Sequence, residues 1–391
     1  MAAIGAYGNY WNGHKLRVSG TLMHNHSQMR KHLIELLAKN RNYQQEIKDI
    51  VKQYEHVVFY GCGAIFNSIV DTWNLYIGRK IDFCCDSNSD KWGNSFRGIK
   101  CISPKELILI KDKCAVFVTI GEFKPVFNLL QHNRFASVNI IYKPDLDATD
   151  FLASYEHDEM VANLCKIYDF LSDQQSVRVF DSIISRVFGY GNIPEIMMNV
   201  CEKHQYFPLD IIKLTENESF VDIGAFNGDT INKFIDHCQS RFDNIFAFEL
   251  DAINFKALQE NIKLIPNHDK IKIFNVGIWD CECDIAYNIG KTESSIGNGD
   301  GKGHLIPLDG VLINEKVTFI KMDIEGAEPK ALRGAQNIIR MQKPKLAICI
   351  YHNFKHLWEI PLYIKELVPE YNIYLRHHTD LAYETVCYAI Y

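Results

Sequence analysis

The stretch Val221-Asp222-Ile223-Gly224-Ala225-Phe226-Asn227-Gly228-Asp229-Thr230 decides how this chain is read. Apolar text delivers an acid into a turn with two glycines, and a helix start follows. Glycine lets backbone approach a ligand closely, and ligands of open α/β sheets sit beyond the carboxyl ends of the strands. The next apolar run ends Phe248-Glu249-Leu250-Asp251, where a carboxylate takes both hydroxyls of a ribose. The glycine spacing is G-x-x-x-G, not the G-x-G-x-x-G that seats a pyrophosphate on a helix N-terminus. Asp222 and Asp229 flank the turn, and two carboxylates make a poor phosphate cradle. They suit a cation, and a sulfonium with an amino-acid tail fits, which favours S-adenosyl-L-methionine over NAD. A tight turn capped by Asp is the plainer account of the turn alone; Glu249 one strand later shifts the balance to a cofactor.

Working outward, NIFAFELD, KIKIFNVGIWD, VTFIKMDIEG and KLAICIYH read as further strands, and YNIYLRHHT with ETVCYAIY as a closing antiparallel pair. Seven strands are expected, five of parallel type and then a hairpin. Asp323 ends the fourth strand, beside the first in a doubly wound sheet, and so points into the same cleft. Carboxylates at 323, 325 and 328 are ordinarily a solvated turn; buried-strand text leading straight into them raises the case for function.

These residues also carry a resemblance. VDIGAFNGDT, FAFELDAINFKALQENI, IKMDIEGAEPKALRGA and PKLAICIYHNFKHLWEIPLYIKEL, in that order, resemble the FkbM-type methyltransferases, from about Gln205 to the C-terminus. That family is similar to other class I S-adenosylmethionine-dependent O-methyltransferases and often acts in glycan and natural-product pathways. The resemblance implies that Asp222, Gly224, Ala225, Gly228, Asp229 and Thr230 line the methionine part of the cofactor. It implies that Glu249, followed by Leu250, binds ribose, that Val276 and Gly277 flank the adenine, and that Asp323 closes the site. Phe226 stands where a middle glycine is common in the wider class.

Methyl transfer from a sulfonium is an in-line displacement, so holding the acceptor oxygen near the methyl is the main task. A sugar hydroxyl is a weak acid, and taking its proton adds roughly 10²–10⁴-fold. His352, at the end of the fifth strand, is the candidate general base; Asp323 is the runner-up or the group that orients it. His352 and His356 would make a metal pair only on one helix, and they lack the glutamate and third ligand of H-E-x-x-H. No metal is assigned, and a surface-loop histidine is the plainer reading of His356. KTESSIGNGDGKGH, residues 291 to 304, reads as a mobile loop, either a lid over the acceptor or inert surface.

The first half repeats the alternation. HVVFYGCGAIFNSIV, KIDFCCD, CAVFVTIG and SVNIIY are strands between helices, with a turn and helix start at Ser103-Pro104. Gly61 and Gly63 begin a G-x-G turn, Phe66 stands where a third glycine belongs, and Asp86 ends the next strand. FYGCGAIFNSIV, IDFCCDSNSDKWGNSFRGIKCIS and FVTIG resemble the nucleotide-sugar-binding domain fused to some sugar acyltransferases, over about 57–121. A docking or dimerisation domain with a vestigial site is the equal alternative.

The expected organisation is an arm and helix over 1–54, a Rossmann-like domain over 55–148, a helical connector over 149–205 and a class I methyltransferase domain over 206–391. The helix is placed at Ser27 to Tyr54, a capped start at Thr149-Asp150 and a break at Gly189-Tyr190-Gly191-Asn192. The fold class is α/β, two doubly wound domains. The 391 residues and 47% hydrophobic content suit two or three packed domains. A net charge of −6 argues against a general nucleic-acid binder. Twelve scattered cysteines with no Cys-x-x-Cys read as reduced thiols in a cytoplasmic protein, with Cys84-Cys85 and Cys281/Cys283 packed as small hydrophobes. No run approaches the ~20 apolar residues of a membrane span, and the N-terminus lacks a basic flank before an apolar core.

The reading is a saccharide O-methyltransferase using S-adenosyl-L-methionine, its acceptor a nucleotide-activated sugar for a surface polysaccharide; self-association is compatible with it. The rivals are a nicotinamide-dependent sugar oxidoreductase on the first domain and a non-catalytic nucleotide-sugar-binding scaffold.

Overall fold

The computed structural model describes residues 31, 34, 35, 43–121, 123–141, 157–188, 197, 199–287, 301–381 and 383–391. The expected N-terminal arm, Thr149-Asp150, the Gly189–Asn192 break and residues 291–300 lie outside them.

Two twisted sheets are each flanked by helices on both faces. The first holds β1 (His56–Tyr60), β2 (Phe83–Cys85), β3 (Ser95–Phe96), β4 (Ile99–Ile102), β5 (Cys114–Val118) and β6 (Ser137–Ile140). Their order is β3-β4-β2-β1-β5-β6, parallel except for the β3–β4 hairpin. Strands β1 and β5 are buried almost throughout, as parallel strands covered on both faces must be. The helix Pro104–Leu109 starts where the sequence marks it: Ser103 and Glu106 cap each other's backbone N–H groups, with Pro104 in the first turn.

The second sheet is built from β7 (Ser219–Ile223), β8 (Asn244–Phe248), β9 (Ile271–Phe274), β13 (Phe319–Met322), β14 (Lys345–Cys349), β15 (Asn372–His377) and β16 (Thr385–Ile390). Their order is β15-β16-β14-β13-β7-β8-β9. The first five in sequence are parallel; β15 and β16 form the antiparallel pair. Three further strands, β10 (Gly277–Ile278), β11 (Cys283–Tyr287) and β12 (Gly301–Ile306), make a small separate sheet. The end of the expected 291–304 loop is therefore strand: Gly301 to His304 pair with Tyr287 to Asp284. Glycine-rich text reads as a loop until a partner strand supplies the backbone hydrogen bonds.

The helices His157–Phe170 and Gln174–Phe188 lie against this second sheet and share its main core. Ser176 Oγ accepts from Leu375 N at 2.9 Å, and Arg376 reaches Asp173 and Asp210. All twelve cysteines are free thiols. Cys84 and Cys85 are buried as expected, but Cys281 is exposed just before β11 and Cys283, its first residue, is half-exposed, because that strand has one open face. Among the described residues no helix is long and apolar enough to cross a membrane.

The two domains meet at one edge. The turn between β15 and β16 carries Leu381 and Tyr383, which pack on the first domain's core, and Asp380, 2.6 Å from Lys124 Nζ. Lys124 opens the helix that follows β5, at that sheet's carboxyl edge. The turn itself lies beyond the carboxyl end of β14, since β16 runs antiparallel to it from Thr385.

Candidate active site

Strand register sets the floor of the site. Asp222 on β7 pairs in register with Lys321 on β13, and Lys321 Nζ lies 2.9 Å from Asp222 Oδ1 with both side chains nearly inaccessible. Lys321 also donates to Gly224 O at 2.7 Å. Burial opposes the lysine's charge, but the Asp222 and Asp323 carboxylates outweigh it and hold the ammonium protonated. Asp222 Oδ2 is buried with no hydrogen-bond donor among the described residues.

Above this pair the glycine turn closes tightly. Gly224 has φ +79, and a Cβ there would sit 2.0 Å from Asp323 O, so only glycine lets the turn pass beside β13. Gly228 is likewise left-handed, at φ +87, as N-cap of the helix Asp229–His237. Phe226 has φ +49 and a ring 44% exposed. A left-handed backbone here is one that glycine adopts without strain.

Glu249, one residue past β8, accepts from Phe226 N at 2.8 Å and from Asp251 N at 2.8 Å, one bond to each oxygen. Each oxygen keeps a lone pair, and burial raises its pKa above the usual carboxylate range. Leu250 lies where a Cβ on Gly277 or Gly303 would touch it; Asn275 Nδ2 donates to both the Glu249 and Leu250 carbonyls. Ala225 is buried in the turn, Thr230 is buried in the first turn of the helix that follows, and Val276 is partly buried against the main core. Asp229 pairs with Lys233 at 3.3 Å, lines a surface depression of about 480 Å³ with Asn232, Asp236 and Asn261, and is near enough to Asp222 to oppose its charge. As first residue of its helix, its side chain follows the helix surface.

Asp323 follows β13 and is braced by two hydroxyls the sequence did not point to. Tyr206 Oη donates to Oδ2 at 2.6 Å and Tyr351 Oη to Oδ1 at 3.3 Å. Burial alone would raise its pKa, but Lys321 and His352 hold it below the usual range. His352 Nε2 is 3.4 Å from Asp323 Oδ1 and 3.3 Å from Glu325 Oε2; its Nδ1 is 2.9 Å from Glu328 Oε1. Burial would lower the imidazole's pKa, but Glu328, then Asp323 and Glu325, push it up to about 9.

His356 is buried, not on a surface loop. It starts the helix His356–Leu367, and its Nδ1 faces Glu328 Oε2 at 3.6 Å. His352 precedes that helix, so the two do not form a one-helix pair; they converge on Glu328 instead. The histidines of the final hairpin serve structure: His377 bonds to Thr385 and Leu381, His378 to Glu202 and Tyr388.

The donor set fits S-adenosyl-L-methionine. Glu249 has free lone pairs for a ribose diol, and Asp222 keeps an unmatched buried oxygen suited to a cationic amino group.

Residues 222–381 match the family described as the methyltransferase FkbM domain. The fold of the whole chain is similar to that of a methyltransferase FkbM from Methylobacillus flagellatus KT, with a TM-score of 0.75 and 20% identity over 93% of this chain and 99% of that one. An rRNA methylase from Streptococcus thermophilus has a TM-score of 0.30 and 12% identity, over 45% of this chain and 89% of that one. No curated protein matches the chain.

Proposed function

Because residues 222–381 form an FkbM methyltransferase domain and the enzyme is an S-adenosyl-L-methionine-dependent methyltransferase, we propose that its acceptor is a saccharide hydroxyl, carried on a nucleotide-activated sugar bound for a surface polysaccharide. When bound, the cofactor supplies the electrophilic methyl. Glu249 holds the ribose, Asp222 takes the amino group of the methionine tail, and the Asp222–Lys321 pair keeps the floor rigid. Asp323 and His352 face the acceptor hydroxyl, and the ionised Asp323, or His352 once it has lost its own proton, takes up the hydroxyl proton. Imidazole and carboxylate together suit a weakly acidic alcohol, which needs that assistance.

One observation carries the saccharide reading. The carboxyl edge of the first sheet abuts the turn beside the methyl-transfer centre: Lys124 pairs with Asp380, and Tyr383 packs edge-on to Tyr351, whose hydroxyl holds Asp323. A ligand on the first domain is thereby presented to the second. At the first domain's glycine turn, Lys91 Nζ lies 2.7 Å from Asp86 Oδ2, which also accepts from Cys62 N. That carboxylate is already neutralised, which suits a diphosphate better than a free ribose diol and weighs against the nicotinamide reading.

The test is calorimetry with S-adenosylmethionine, NAD and a nucleotide-diphosphate sugar, followed by mass analysis of the sugar. Cofactor and sugar should both bind, and the sugar should gain one methyl. NAD binding without S-adenosylmethionine binding would favour the oxidoreductase. Cofactor turnover on every acceptor except saccharides would remove the saccharide reading.

A further inference from the structure

The geometry points to a divalent-cation site formed by Asp323, Glu325 and His352. One oxygen from each carboxylate and Nε2 of the imidazole lie within 4.8 Å of one another. Nε2 stands 3.4 Å and 3.3 Å from the two oxygens. Adjacent ligands of an ion bound at about 2.1 Å in tetrahedral or octahedral geometry are roughly 3.0–3.4 Å apart. A second observation is independent of the acidic cluster: the His352 side chain is 7% exposed, and its Nε2 has no hydrogen-bond partner of good geometry yet faces the cluster.

The surroundings are those of a ligand set. Glu328, 0% exposed, places Oε1 2.9 Å from Nδ1 of His352 as an ion-pair contact and accepts from Ile324 N at 2.9 Å. A buried carboxylate on the far nitrogen fixes the ring and its tautomer, leaving Nε2 to coordinate. Asp323 is fixed by the hydroxyls of Tyr206 and Tyr351. Glu325 adopts φ +55 and is followed by Gly326 at φ +99. Such strain in a non-glycine residue persists where the surroundings impose it, and here the turn puts Glu325 beside the imidazole. Asp323 and Glu325 are 23% and 33% exposed, which leaves one side of the trio open for an acceptor or water. One imidazole and two carboxylates with open positions suit Mn²⁺ or Zn²⁺ better than Ca²⁺ or Cu⁺. The spacing argument made from sequence concerned His352 and His356; the ligands instead come from the ends of β13 and β14.

The role of the ion, though not the site, rests on the methyl-transfer reading. A cation there binds the acceptor hydroxyl together with a neighbouring oxygen, so the acceptor class narrows to a saccharide with vicinal oxygens. His352 then serves as ligand rather than as free base.

The test is Mn²⁺ binding to the full-length, chelator-treated protein by calorimetry and by electron paramagnetic resonance, with S-adenosylmethionine binding measured on the same samples. One equivalent of Mn²⁺ should bind, with Zn²⁺ competing. Glu325→Gln, a partly exposed change tolerant of folding, should weaken Mn²⁺ at least tenfold while cofactor binding stays the same. Glu328→Gln, acting through His352, should weaken it about 10–100-fold. Absence of millimolar or tighter Mn²⁺ binding, or unchanged affinity in a folded Glu325→Gln protein, overturns the site. Failure to bind S-adenosylmethionine with Mn²⁺ still bound would overturn the methyltransferase role and leave the cation site standing.

Discussion

The two sheets turn the same corner with different chemistry. Gly61 and Gly224 each follow the first strand of their domain, both have positive φ, and a Cβ on either would strike the residue after the neighbouring strand, Thr119 or Asp323. In each domain the acid after the second strand, Asp86 or Glu249, accepts from a backbone N–H of the turn. At the positions matched by this corner, Phe59 pairs with Phe117 in the first domain and Asp222 with Lys321 in the second. Thr119 turns its hydroxyl back onto the carbonyls of Tyr60 and Gly61, whereas Asp323 faces His352. One corner carries a single ion pair, Asp86–Lys91, on an otherwise apolar frame; the other keeps Asp222, Glu249, Lys321, Asp323 and His352 around a cleft. The frame is common to both, and the charges distinguish the second corner from the first.

The largest effect expected from breaking this contrast is at Lys321. Lys321→Met makes the second corner resemble the first on one side only and strands the Asp222 charge in the interior. Removing one partner of a buried pair costs about 3–5 kcal/mol, so denaturant unfolding should show a midpoint far below wild type. Phe117→Leu, which keeps the first corner apolar, should cost less; equal losses would mean that the pair adds nothing beyond packing.

A smaller effect should test whether the first corner holds the acceptor. Valine at Gly61 would test packing, because a Cβ there would lie 2.2 Å from Ile120 Cγ2. Gly63 is the better probe: nothing lies within 4 Å of its Cβ position. Gly63→Val should raise the KM for the nucleotide-linked acceptor about tenfold, equivalent to 1.4 kcal/mol, with cofactor affinity unchanged. An unchanged KM in a folded variant would make the first domain a docking element.

The smallest change sharpens the comparison of the turns themselves. Phe226 is the non-glycine residue in a left-handed conformation within the second turn. Phe226→Gly should relieve about 1 kcal/mol of that strain, partly offset by the greater entropy of glycine in the unfolded chain, and thermal melting would detect a small rise. A fall in melting temperature would mean that the exposed ring packs better than its position suggests.

Much of this was legible in the sequence because it is local. Alternating apolar strands and glycine turns gave both doubly wound sheets, and the acids at strand ends sit where their text puts them. The Lys321–Asp222 pair was not legible, since it depends on register between strands about a hundred residues apart. A lysine within the apolar run FIKM was the available signal. Tyr206 reaches Asp323 across 117 positions, and nothing in its local text marks that contact. The β3–β4 hairpin was missed because the two-residue β3 carries too little periodicity to read, and the β10–β12 sheet because β10 has two residues and β12 begins in glycine-rich text.

The central claim is that the second corner holds S-adenosylmethionine through Glu249. The most direct measurement is calorimetric titration of the cofactor into wild type and Glu249→Ala, with folding checked by circular dichroism. Each hydrogen bond to a charged group is worth about 1.5–3 kcal/mol, so the variant should bind at least tenfold more weakly. A folded Glu249→Ala protein that binds S-adenosylmethionine as tightly as wild type would contradict the account.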